Sequence, residues 1–290
     1  MAFEFGIIFA LAALVTWGCG DFLIQRSAKK MGDWETLLVI SIMGVIILMP
    51  FVYQDFGMIM SAGDEGFYLL LGFSIALFVG ALIHFESLKR GKISAVEPFE
   101  ALEIPVTLIL ATAILAEYVT LYQVLLILVL MSGLFMLSVK SHHFTRRAWI
   151  ERGVIMAASA AFLYGVANFL VGFAARQTNP LLAVWFMSAF TLLISLFYLQ
   201  SNNRLSGFFA DVRENKGISI ITGIVDNVAW VFIAIAAVFV PISIAFAVSE
   251  SYVALAALLG IIINKEKLMH HQKIGIAIAL SSTVMLAFLA

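Results

Sequence analysis

Several carboxylates stand in stretches of sequence that are otherwise almost wholly apolar. The run Ser94-Ala95-Val96-Glu97-Pro98-Phe99-Glu100-Ala101-Leu102-Glu103-Ile104-Pro105 sets Glu97, Glu100 and Glu103 three residues apart, on one face of a helix. Glu250 lies in Ser249-Glu250-Ser251-Tyr252, and Asp226 adjoins Asn227 with Trp230 one turn on. Carboxyl groups gathered in one dry site cannot all ionise, because like charges repel and burial disfavours the charged form. Such a group could exchange a proton for a cation. Trp17, Tyr164, Trp230 and Tyr252 could stack on a cationic or aromatic ligand. In a chain with 25 Phe, though, most aromatic rings are expected to face lipid or other helices.

The elements that must position these groups follow from composition. The chain has 290 residues, of which 63% are hydrophobic and 12% charged. Its mean hydropathy is +1.06. A soluble domain carries about 25% charged residues, so these are too few to cover a water-facing surface. A soluble enzyme and a disordered chain are excluded. The net charge of −1 gives no footprint for nucleic acid. Cys19 is the single cysteine, too little for an internal disulfide or a metal centre, and no cofactor or metal is expected. Met1-Ala2-Phe3-Glu4 lacks the basic start of a cleaved signal peptide.

A membrane helix needs about 20 mostly apolar residues. Ten such runs lie near 4–25, 34–54, 66–88, 93–115, 120–139, 149–174, 180–199, 217–238, 243–263 and 270–289. They are apolar all round and do not alternate as barrel strands would. The expected fold class is therefore an all-α polytopic membrane protein with ten transmembrane helices. Trp34 and Trp149, at helix starts, read as interfacial anchors.

The ten spans divide into two halves. Trp17-Gly18-Cys19-Gly20-Asp21-Phe22-Leu23 echoes Tyr164-Gly165-Val166-Ala167-Asn168-Phe169-Leu170, an offset of 147. Glu117…Gln123 echoes Glu266…Gln272, an offset of 149. Five spans per half is an odd number, so the second copy enters the membrane from the opposite face. The charges agree. Loop one holds Arg26, Lys29 and Lys30 where its partner, loop six, holds only Arg176; loop two holds Asp55, Asp64 and Glu65 where loop seven holds Arg204, Arg213 and Lys216. Odd-numbered loops and their flanks carry sixteen of the seventeen Lys and Arg. By the positive-inside rule they are cytoplasmic, with both termini on the other side of the cell (inner) membrane. The expected units are residues 1–140 and 153–290, two inverted five-helix repeats, with a cytoplasmic linker over 141–152. Inverted repeats are a signature of secondary transporters with a midplane site.

Depth then sorts the acids. Glu103 lies roughly 14 Å below Ser94, near the middle of a ~30 Å core. Glu250 enters from the opposite face, roughly 10 Å below Ser243, and Asp226 lies about 14 Å below Gly217. By the repeat offset Glu250 matches Ala101, between Glu100 and Glu103. Glu97, beside Lys92, suits the interface. Asp21 near Arg26 reads as an interfacial ion pair, its mate being the neutral Asn168, and His84 and Glu86 read as structural. Pro98, Pro105, Gly18 and Gly165 are candidate hinges or kinks.

Three features resemble a known family: Trp17-Gly18, the Ala81…Leu88-Lys89-Arg90-Gly91 turn, and the Glu117 turn. Together they look like the EamA repeat of the drug/metabolite transporter superfamily, and Tyr164-Gly165 and Glu266 repeat the frame. The resemblance implies ten helices, no ATPase domain, and alternating access that exports amino acids, drugs or other metabolites. It also implies a cavity lined by spans one, three, four and their mates. This chain departs in carrying three carboxylates on span four, which favours a cationic or zwitterionic substrate. The alternatives are a carrier of a neutral or anionic solute (amino acid, sugar or nucleotide-sugar) whose carboxylates serve coupling, a channel, or a scaffold or accessory subunit without flux. No H-E-x-x-H or G-x-S-x-G motif supports an enzyme. Expected partners are a small-molecule substrate, membrane lipid and protons as coupling ion, with the chain a monomer or homodimer.

Overall fold

A computed structural model describes residues 2–61, 63–90, 97–139, 152–264 and 268–289. Every regular element among them is helical. In order these are α1 (Ala2–Met31), α2 (Asp33–Val52), α3 (Phe56–Ser61), α4 (Gly63–Arg90), a 3-10 segment (Glu97–Leu102), α5 (Glu103–Leu115) and α6 (Leu121–Ser138). The second half has α7 (Arg152–Gln177), α8 (Pro180–Ser201), α9 (Leu205–Glu214), α10 (Lys216–Phe239), α11 (Ile242–Ser249), α12 (Tyr252–Asn264) and α13 (His270–Leu289). Nine segments of the described residues are long and apolar enough to cross a membrane. Large apolar side chains such as Ile109, Leu193, Phe197 and Phe288 remain more than 60% exposed, as a lipid-facing surface demands. The expected linker lies outside the described residues as far as Glu151, and so does Glu266.

Boundaries follow local chemistry. The first span was expected to end near residue 25, but α1 runs on to Met31. Lys29 and Lys30 fill its last turn, where positive charge suits the helix dipole. Gly32 then takes φ 105, a backbone region that favours glycine. A capping box of Thr120 and Gln123 starts α6. Asn179 caps α8, with Pro180 at a position whose missing N–H costs nothing. Loops two and seven each carry a short helix, α3 and α9, whose first residues, Phe56 and Leu205, stand 149 apart. In α9 Phe208 is buried and Phe209 exposed, the two-sided pattern of an interfacial helix.

The halves pack as related copies. The most extensive helix contacts are α4 with α7, α1 with α10, α6 with α13 and α2 with α8. Exchanging the halves turns the first pair into the second and leaves the last two unchanged, which is approximate two-fold symmetry. Contacts also sort the loops. Asp55 (loop two) accepts a hydrogen bond from Asn179 (loop six) at 2.9 Å, whereas Glu35 after loop one pairs with Arg204 of loop seven at 2.7 Å. Even-numbered loops thus meet one another, and odd-numbered loops do likewise.

Spans four and nine depart from simple helices. The fourth was expected as one helix over 93–115; its described part is the 3-10 segment followed by the 13-residue α5. A 3-10 helix has three residues per turn, so a spacing of three stacks side chains. Pro105 is the third residue of α5, where backbone N–H groups have no intrahelical partner, so it starts this helix without kinking it. Span nine breaks between α11 and α12, at Glu250 and Ser251. Ser249 donates to the Phe246 carbonyl and Ser251 to that of Ala247, competing with the backbone ladder. The first residues of α5 and α12, Glu103 and Tyr252, again stand 149 apart. Both copies therefore break at the same place.

Candidate functional site

The two breaks bring the acids together. Glu103, at the start of α5, accepts a hydrogen bond from Asn168 Nδ2 at 3.2 Å. Its carboxyl group lies close to that of Glu250, which is 7% exposed and lines the same cavity. Two carboxylates this close repel each other when both are ionised. Asn168 comes from α7, so three spans converge here.

Around this pair lies a cavity of about 20 Å³, lined among others by Glu100, Glu103, Ser138, Glu250 and Tyr252. That is room for about one water and not for a metabolite. Glu100 extends the acidic wall, and His84 Nδ1 of α4 lies 3.5 Å from its Oε1. The Tyr164 ring sits 6.0 Å from the His84 ring and within electrostatic reach of both Glu100 and Glu103.

An aromatic group adjoins the acids through Tyr252. Trp17 meets Trp230 edge-on at 5.2 Å and Tyr252 at 6.0 Å, and Phe73 lies 5.8 Å from Trp230. These rings come from spans one, three, eight and nine.

Other expected residues lie elsewhere. Asp226 is buried in α10 but does not line the cavity. Its neighbour Asn227 binds the carbonyls of Ile40 and Gly223 and contacts Ser188, which makes it a joint between helices. The backbone of Glu97 and Pro98 opens the 3-10 segment, but their side chains, like that of Asp21, are outside the described set. Gly18 and Gly165 interrupt neither α1 nor α7. A Cβ on Gly165 would sit 2.7 Å from the Glu103 carbonyl oxygen; one on Gly18 would sit 3.1 Å from Leu255 of α12. They are points of close approach to spans four and nine. Pro105 marks the break itself.

Sequence reading missed two groups. The contact of His84 with Glu100 was unforeseen because the 3-10 geometry was. The second is a knot of even-numbered loops. Arg176 Nη1 pairs with Glu117 Oε1 at 2.6 Å, and both Glu117 oxygens accept from the Ile242 N–H at the start of span nine. Arg176 also donates to the carbonyls of Ala237 and Val240. A signal was present, since Arg176 is the lone basic residue of the even-numbered loops.

Comparison with known proteins agrees with this architecture. An uncharacterized protein of Methanocaldococcus jannaschii is 25% identical over 137 residues, 47% of this chain and 97% of that one. A crystal structure of another protein superposes with a TM-score of 0.73 at 13% identity, covering 98% of this chain and 97% of the other, a likeness of fold. The EamA-like transporter family matches twice, over residues 4–139 and 151–288. The chain is thus a multi-pass membrane protein that belongs to the EamA-like transporter family.

Proposed function

We propose that this transporter carries a small cationic or zwitterionic metabolite or drug by alternating access, exchanging it for a proton at Glu103 and Glu250. The observation that carries the reading is the meeting of these two carboxyls in one small cavity at the paired breaks of spans four and nine. A cation entering between them replaces the proton that holds them together, and ionises both. Trp17, Trp230 and Tyr252 supply π faces beside that charge. Broken spans at a midplane site are a recurring transporter device. The Lys and Arg distribution supports a reading in which the odd-numbered loops are cytoplasmic and the Glu117–Arg176 knot faces the other side.

The test is proton flux in proteoliposomes loaded with a pH dye and given amino acids, polyamines, quaternary amines and sugars in turn. A response to one cationic class, abolished by Glu103→Gln or Glu250→Gln, supports the reading. A response to a neutral or anionic solute, with only its pH dependence lost in those variants, assigns the acids to coupling alone. Saturable radiolabelled counterflow without any proton movement overturns the coupling.

A further inference from the structure

We propose that a groove between the 3-10 segment and α7 binds one acyl chain of an anionic phospholipid, whose headgroup meets Arg152. The groove measures about 500 Å³, against about 20 Å³ for the acid cavity, so it has room for part of an organic molecule where the acid cavity has none. Phe99 of the 3-10 segment walls it on one side, and Val154, Ile155, Ala158, Ser159 and Phe162 of α7 on the other. Ser159 is the one polar side chain of this wall. Its hydroxyl donates to the Ile155 carbonyl at 2.9 Å within the helix, so the groove calls for no polar ligand.

Position and charge say what fills it. The segment Arg152–Gln177 is long and apolar enough to cross a membrane, and Ile155 and Phe162 are 54% and 55% exposed. The groove therefore opens away from the helix bundle and towards hydrocarbon. From Val154 to Phe162 it follows α7 for about 12 Å, close to the depth of one leaflet of a ~30 Å core. That is the reach of a lipid tail entering from the odd-numbered-loop face. Arg152, the exposed first residue of α7, stands three residues before Ile155 and seven before Ser159, on the same face of the helix. In sequence, the run 140–152 holds Lys140, Arg146, Arg147 and Arg152 against Glu151 alone. Basic clusters at the end of a span attract anionic headgroups. The groove also backs onto the acid site. Phe99 precedes Glu100 of the acid cavity, and Leu163 of the groove precedes Tyr164, which is within electrostatic reach of Glu100 and Glu103. A tail seated there supports the 3-10 segment from the lipid side, whatever solute the acids handle.

The test counts lipids. The full chain is reconstituted with equal parts of phosphatidylglycerol and phosphatidylethanolamine, extracted in mild detergent and weighed by native mass spectrometry. The wild type is expected to keep one phosphatidylglycerol per chain. Ala158→Phe, whose ring fills the groove, is expected to keep none. Arg152→Gln is expected to keep a lipid but to lose about fivefold in its preference for phosphatidylglycerol. No retained lipid on the wild type, or equal retention by wild type and Ala158→Phe, overturns the proposal. So does a wild-type dimer that Ala158→Phe turns into monomers, since the groove then belongs to a second copy. If Ala158→Phe does not fold, Arg152→Gln decides, because it changes an exposed side chain, and an unchanged headgroup preference there overturns the proposal.

Discussion

Glu103 and Glu117 sit at opposite ends of the same helix, and they are treated in opposite ways. Glu117, two residues beyond α5, meets the Arg176 guanidinium at 2.6 Å and the Ile242 N–H. Its charge is met by a charge and by a donor. Glu103, the first residue of α5, meets another carboxyl and one amide. The first arrangement is complete as it stands, whereas the second leaves two like charges to be neutralised, on the proposed function by a proton or a cation. Span nine shows the same contrast, since its start is tied to Glu117 and its break meets Glu103. On this account spans four and nine are pinned at the even-numbered-loop face and separable at their middles.

The contrast breaks most severely at its fixed end. Arg176→Met leaves Glu117, whose side chain is 7% exposed, without its counter-charge. Removing one partner of a buried pair costs about 3–5 kcal/mol. The melting temperature in detergent is therefore expected to fall sharply, and an unchanged value would show that the knot holds nothing. Next in size is Gly165→Ala, whose Cβ would lie 2.5 Å from Val106 and 2.7 Å from a backbone oxygen. Overpacking of that kind costs about 1–3 kcal/mol. The equivalent Gly18→Ala meets only a leucine side chain at 3.1 Å and is expected to melt closer to wild type.

Glu103→Gln sharpens the contrast from the other end. An amide still donates to Glu250, so stability is expected to change by no more than about 1 kcal/mol. Transport, by contrast, is expected to lose its pH dependence, read from uptake rates across a pH series. Glu117→Gln should do the reverse, lowering the melting temperature and leaving the pH profile in place. The smallest effect belongs to the aromatic wall. Trp17→Leu removes a cation–π contact of about 0.5–1 kcal/mol, or roughly two- to fivefold in the Kd of a cationic substrate.

Much of this arrangement was legible before any coordinates. Apolar runs of membrane length carry the multi-pass helical class, with nine of the ten expected runs long and apolar enough to cross a membrane among the described residues, and the sequence echoes carry the duplication that the family match repeats. Depth arithmetic picked Glu103 and Glu250 as acids near the membrane middle, and the repeat offset placed them close to one another in the two copies. The breaks were not legible. Pro98 and Pro105 suggested a kink, but whether a proline bends a helix or begins one depends on which N–H groups already lack partners. Span nine has no proline near its break, and there the competing hydroxyls of Ser249 and Ser251 are a weak signal in any sequence. Asp226 shows the opposite limit. Its depth is as suitable as that of Glu103, yet its position around α10 leaves it out of the cavity lining, and azimuth cannot be read from depth.

The central claim is that a cation takes the place of the proton shared by Glu103 and Glu250. The most direct measurement is proton release in weakly buffered detergent solution, when the purified protein binds the cation that drives flux in proteoliposomes. The account predicts release of about one proton per chain, lost in Glu103→Gln. Binding of that cation with no proton released, or with the same release from the Glu103→Gln protein, would contradict it.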